Sequence, residues 1–161
     1  MRNRIANRFV WVSLLLITTE VALNAQEPKE VPYPKMPKGA GKMDDKAPKT
    51  FTKTNSGLQY RVLRKGTGKN PTAANKVKVN YHGWLESGKV FDSSYDRNEP
   101  ISFPLSGVIK GWTEGMQLVG EGGMIELDIP SELAYGSRPP AGADIPPNTR
   151  LHFLVELLKL E

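Results

Sequence analysis

Residues 76–91 read KVKVNYHGWLESGKVF, and this stretch decides the fold. Val77, Val79, Tyr81, Gly83 and Leu85 fall on one side of an extended chain, with Lys76, Lys78, Asn80 and His82 on the other. Such period-two alternation predicts a strand with one buried face. Ser87-Gly88 predicts a hairpin turn, where glycine tolerates positive φ, and Val90-Phe91 predicts the returning strand.

The same period continues outward. Leu58, Tyr60 and Val62 alternate with polar residues until Gly66-Thr67-Gly68 closes the run. Ile125, Leu127 and Ile129 alternate with Glu126 and Asp128, and Leu151, Phe153, Val155 and Leu157 share a face of the last strand. One segment changes period: Ile109, Trp112, Met116 and Val119 recur at helical spacing and predict a short helix over about 109–118. Gly120-Glu121-Gly122-Gly123 predicts the turn that follows it. These elements predict an α+β domain over residues 51–161, a mostly antiparallel sheet wrapped on one short amphipathic helix.

Residues 1–25 predict an export signal: Arg2, Arg4 and Arg8 precede an apolar run over 9–17, and Ala22 and Ala25 follow. The run is too short to cross a hydrocarbon core of about 30 Å. Cleavage after Ala25 and no stable membrane insertion are therefore expected, with an uncleaved signal-anchor as the alternative. The expected destination is a periplasm or the exterior. In residues 26–50, Pro28, Pro32, Pro34, Pro37 and Pro48 alternate with lysines and show no apolar period, which predicts an extended, mobile linker.

The net charge of +5 belongs mostly to these two segments. Residues 1–25 carry +2, residues 26–49 carry +2, and residues 50–161 keep only +1. A nucleic-acid binder concentrates basic charge on its folded domain, so no nucleic-acid partner is expected. The 161 residues include no cysteine, which excludes disulfides, thiolate metal sites and cysteine nucleophiles. His82 and His152 have no ligand-spaced companions, so no metal is expected. Gly66-Thr67-Gly68-Lys69 lacks the earlier glycine of a phosphate loop, and no cofactor is expected. Ser93 and Ser94 have no histidine close in sequence to activate them. Asp92 and Asp96 are followed by Arg97, which predicts a salt-bridged loop.

Five runs occur in one order: VNYHGWLESGKVFDSSYDRNEPISF (79–103), GVIKGWTEGMQLV (107–119), IPSELAYG (129–136), IPPNT (145–149) and LHFLVELLKLE (151–161). With them, residues 58–161 resemble the FKBP-type peptidyl-prolyl cis-trans isomerases. The resemblance implies a twisted antiparallel sheet of about five strands curled around one helix. It implies, as substrate, an Xaa-Pro bond in an unfolded or partly folded polypeptide during folding of exported proteins. It makes Trp112 the floor of a pocket walled by Tyr81, Phe91 and Phe153, with Arg97, Ile101, Phe103 and Ile145 also lining it. Val108 and Ile109 stand at its entrance, and the Ile109 N–H and Tyr135 hydroxyl serve as donors to substrate carbonyls. Asp92, braced by Arg97 and the Tyr81 hydroxyl, is expected to stay ionised and act electrostatically on the twisted carbonyl.

Three positions depart from the family pattern. Ile101 replaces an aromatic of many relatives, Lys110 stands where bacterial relatives often have proline, and the loop SRPPAGADIPP (137–147) is proline-rich and slightly long. They leave affinity for a tacrolimus-like macrolide inhibitor open. A non-catalytic binding module or chaperone-like holdase is the main competing function. The intact set of Tyr81, Asp92, Trp112 and Tyr135 argues against it. The proline-rich 26–50 segment has no heptads for a dimerising helical arm, so a monomer is expected.

Overall fold

The alternation over residues 76–85 is a strand whose burial follows the pattern: Val77 and Val79 are fully buried and Tyr81 is 8% exposed. In the computed structural model, which describes residues 29–161, this strand is the spine of one sheet. The expected export signal lies outside the described residues. The elements run β1 (Thr52–Lys53), β2 (Gln59–Arg64), β3 (Lys76–Leu85), β4 (Val90–Ser93), α1 (Ser94–Arg97), β5 (Ile101–Pro104), α2 (Lys110–Met116), β6 (Met124–Ile129) and β7 (Leu151–Leu160).

The strands pair antiparallel in the order β1-β2-β6-β7-β3-β4, and β5 also pairs with β3. β5 takes the first half of one edge of β3, with Val77 opposite Phe103, and β4 takes the second half, with Gly83 opposite Asp92. The sheet is thus five main columns with the two-residue β1 as a fringe. The hairpin turn forms at Ser87-Gly88, where Gly88 has φ +81°.

α2 crosses one face of this sheet. It approaches closely because Gly111 and Gly115 carry no side chain: a Cβ on Gly115 would lie 2.5 Å from Leu127 Cδ2, and one on Gly111 would collide with Ile129. That closeness turns Trp112 and Met116 into the core, at 5% and 0% exposure. The helix matches the expected segment and is shorter at both ends. A second helical turn, α1, was not expected. Ser93 caps it by accepting a hydrogen bond from the Asp96 N–H, and Asn98 ends it in the left-handed region at φ 53°.

The mobile linker expected over 26–50 is contradicted in its described part. Residues 29–50 form an ordered strap across the sheet face opposite α2. Its base closes where the Val31 N–H donates to Lys49 O at 2.8 Å. Arg61, fully buried on β2, donates to the carbonyls of Val31, Pro32 and Lys49 at 2.7–3.0 Å and to Glu126 Oε2 at 2.6 Å. Its guanidinium also stands over the rings of Tyr33 and Phe51. Tyr33, Met36, Met43 and Ala47 pack on Leu63, Met124 and Leu154, a second small core. A proline-rich strap without periodicity docks in this way because its carbonyls, not its side-chain pattern, meet a buried cation.

Candidate functional site

The face carrying α2 opens into a cleft of about 410 Å³. Trp112 forms its floor and meets Tyr81, Phe103 and Phe153 edge-on at centroid distances of 5.5, 5.5 and 5.2 Å. Phe91 meets Phe153 edge-on at 5.4 Å. These are the offset geometries that aromatic quadrupoles favour. The sheet register explains the last pair. Gly83 lies opposite Phe153, and a Cβ there would stand 2.7 Å from Phe91 and 2.8 Å from Phe153. Glycine at 83 is therefore what lets two aromatic walls meet over β3.

Val108, Ile109 and Ile101 complete the apolar lining. Ile101 is 40% exposed and leaves its side of the cleft open. Ile109 is the residue before α2, and its carbonyl accepts from the Trp112 and Thr113 N–H groups. Gly107 also lines the cleft and was not anticipated. Two expected pocket residues do not line it. Ile145 is buried in the main core, and Arg97 stands behind Asp92 rather than in the cleft.

The polar edge is one cluster. The Tyr81 hydroxyl donates to Asp92 Oδ2, Arg97 Nη1 donates to Asp92 Oδ1 at 2.5 Å, and Arg97 Nη2 donates to the Tyr81 hydroxyl at 2.9 Å. Partial burial by itself raises the Asp92 carboxyl. The hydrogen bonds from Tyr81 and Arg97 outweigh it and hold Asp92 below the usual carboxylate range. The Tyr81 phenol is pushed up to about 12, first by burial and then by donating to Asp92. Tyr135, half-buried in the cleft wall, is also raised, by burial and then by the negative charge of Asp92. Near neutral pH the cleft thus holds one fixed carboxylate and two neutral phenols.

The 137–147 loop is joined to the β3–β4 turn by an ion pair between Lys89 and Asp144. The fold brings a histidine to one of the serines that sequence order keeps apart. β3–β4 pairing sets His82 opposite Ser93, with Nδ1 3.1 Å from Oγ, although the two are eleven positions apart in sequence. Ser93 is 4% exposed and its oxygen caps α1, so this contact is structural. Trp84 separates His82 from His152, at 5.9 and 5.7 Å, and no group able to hold a metal ion occurs among the described residues.

A family model for FKBP-type peptidyl-prolyl cis-trans isomerases matches residues 67–158. The FKBP-type 22 kDa peptidyl-prolyl cis-trans isomerase of Escherichia coli (strain K12) is 52% identical over 107 residues, which cover 66% of this chain and 52% of that protein. FkpA, an FKBP-type peptidyl-prolyl cis-trans isomerase of the same strain, is 51% identical over 108 residues, or 67% of this chain and 39% of the relative. The match therefore spans about half or less of these curated relatives. The crystal structure of FkpA from Escherichia coli superposes with a TM-score of 0.65 at 49% identity, covering 69% of this chain and 51% of that one. The crystal structure of AtFKBP13 superposes with a TM-score of 0.65 at 36% identity, covering 69% of this chain and 98% of that one.

Proposed function

The chain belongs to the FKBP-type peptidyl-prolyl cis-trans isomerase family, and we propose that it accelerates cis–trans isomerisation of Xaa-Pro bonds in unfolded or partly folded polypeptides. The observation that carries this reading is the cleft itself, an aromatic box on Trp112 with one ionised carboxylate, Asp92, at its edge.

The chemistry asks for such a box. Isomerisation breaks no bond; its barrier of about 18–20 kcal/mol is the loss of amide resonance, and an uncatalysed turnover takes tens to hundreds of seconds. Water stabilises the planar, charge-separated amide through its carbonyl. The faces of Tyr81, Phe91, Phe103, Trp112 and Phe153 exclude that water and favour the twisted, less polar amide. Trp112 seats the prolyl ring. The Ile109 N–H and the Tyr135 hydroxyl hold substrate carbonyls. Asp92, fixed by Tyr81 and Arg97, faces the carbonyl carbon as it twists.

The charged run and apolar stretch of residues 1–25 support export, with clients among proteins that fold outside the cytoplasm. A tacrolimus-like macrolide occupies the same cleft, weakened by the open side at Ile101. The protein acts as a monomer.

NMR exchange spectroscopy on a short Xaa-Pro peptide tests this reading. Acceleration that a macrolide abolishes is expected. A folded protein that gives no acceleration would leave a binding module in its place.

A further inference from the structure

α1 is a single turn of four residues, Ser94–Arg97, and a turn this short is not stable by itself. Yet it carries Arg97, whose guanidinium braces both Asp92 and Tyr81 at the cleft edge. Something outside the cleft therefore decides where Arg97 lies.

Two side chains of α1 point away from the cleft and are pinned. Ser94, fully buried, accepts the backbone N–H of Tyr81 at 2.9 Å through its Oγ. Tyr95, 7% exposed, donates its hydroxyl to Glu156 Oε1 at 2.6 Å. Glu156 stands on β7 at 5% exposure, and its carboxylate is fully engaged. Oε1 also accepts the Gly41 N–H of the strap at 2.8 Å, and Oε2 accepts from Arg64 Nη2 at 2.7 Å. Arg64 in turn donates to Lys42 O of the strap and to Gly122 O, both at 2.9 Å. Burial opposes the charge on Glu156, but these donors outweigh it and hold the carboxyl below its usual range. A carboxylate with this many fixed donors cannot shift without leaving a buried donor unpaired.

Resting on the isomerase reading, we infer that Tyr95 and Glu156 are positioning residues for catalysis, and that the strap acts on the cleft through them. The path runs from Gly41 to Glu156, to Tyr95, to α1, and so to Arg97 against Asp92 and Tyr81. Seating of the strap fixes the charge arrangement on the opposite face of the sheet. Gly41 is suited to this place: a Cβ there would collide with the Arg64 guanidinium and stand 2.8 Å from Glu156 Oε2.

The test compares Tyr95→Phe, Glu156→Gln and Gly41→Ala in the full chain, with Glu30→Gln as a control. Glu30→Gln removes an exposed carboxylate of the same strap that is paired with Lys49 Nζ at 3.4 Å. Two quantities are read: kcat and KM for an Xaa-Pro peptide by exchange NMR, and the Arg97 Nε–H resonance. The three relay variants are expected to lower kcat about three- to tenfold, the effect of weakening a hydrogen bond at the cleft edge rather than deleting it, with KM nearly unchanged. They also shift the Arg97 resonance, while the control moves neither. Wild-type kcat with an unshifted Arg97 signal in folded Tyr95→Phe and Glu156→Gln would overturn the inference, as would equal losses in the control. If the wild-type protein itself accelerates nothing, the isomerase reading fails. The Arg97 resonance then still decides whether the relay holds α1: a shift in the relay variants alone supports the relay, and no shift refutes it.

Discussion

The two faces of the sheet each hold an arginine–carboxylate pair, and the pairs are built differently. On the strap face, Arg61 and Glu126 are almost completely buried, and Arg61 spends its other donors on three strap carbonyls. On the cleft face, Arg97 and Asp92 have side chains 47% and 42% exposed, and their partner is a phenol at the edge of an open pocket. Burial pushes the Glu126 carboxyl up against the pull of Arg61, whereas Tyr81 and Arg97 hold Asp92 down. A pair sealed from water fixes structure, because breaking it strands a charge. A pair at a wet edge adds little stability and is available to a substrate.

The largest expected effect tests that division on the strap side. Arg61→Ala strands Glu126 and unbinds both ends of the strap, and is expected to cost about 3–5 kcal/mol in denaturant unfolding. A loss below about 1 kcal/mol would show that the strap is held some other way. Next comes Gly83→Ala, where the added methyl enters the space between Phe91 and Phe153. It is expected to cost about 1–3 kcal/mol and to slow turnover, since the walls must part. Unchanged unfolding and turnover would mean the rings move freely. Asp92→Leu reverses the balance: a stability change within about 1 kcal/mol, with turnover lowered about tenfold or more. Full turnover in the folded variant would remove Asp92 from the mechanism.

The smallest effect is in pH. Asp92 and Glu156 have folded-state values below those of the unfolded chain, so their contribution is present above the ordinary carboxylate range and is lost as pH falls through the folded values. Glu126, raised by burial, works in the opposite sense and favours the fold toward acid. Unfolding midpoints measured below about pH 4 should fall less steeply in Glu156→Gln than in the wild type. An unchanged slope would mean that Glu156 is not held ionised by its donors.

The cleft face was legible in the sequence because alternation reports burial. Val77, Val79, Tyr81, Leu127 and Phe153 all point where period two puts them, and Trp112 sits where the helical period puts it. The strap face was not. Its core alternates with the first one along the same strands, so Leu154 and Glu126 read as a solvated side until something covers them. What covers them is bound by backbone carbonyls and by the unevenly spaced Tyr33, Met36, Met43 and Ala47, and neither makes a period in residue order. α1 was missed because four residues are too few for a helical period, and Tyr95 with Glu156 because their contact spans 61 positions. Arg97 was recognised as a brace but assigned to the pocket wall, a distinction that depends on side-chain direction alone.

The most direct test of the account is one NMR titration of the protein with an Xaa-Pro peptide, reading amide shifts and peptide exchange together. The account predicts accelerated exchange with the largest shifts at Tyr81, Asp92, Ile109, Trp112 and Tyr135, and little change along Tyr33, Met36 and Met43. A folded protein that leaves exchange at its uncatalysed rate, or that takes the peptide on the strap face, would contradict it.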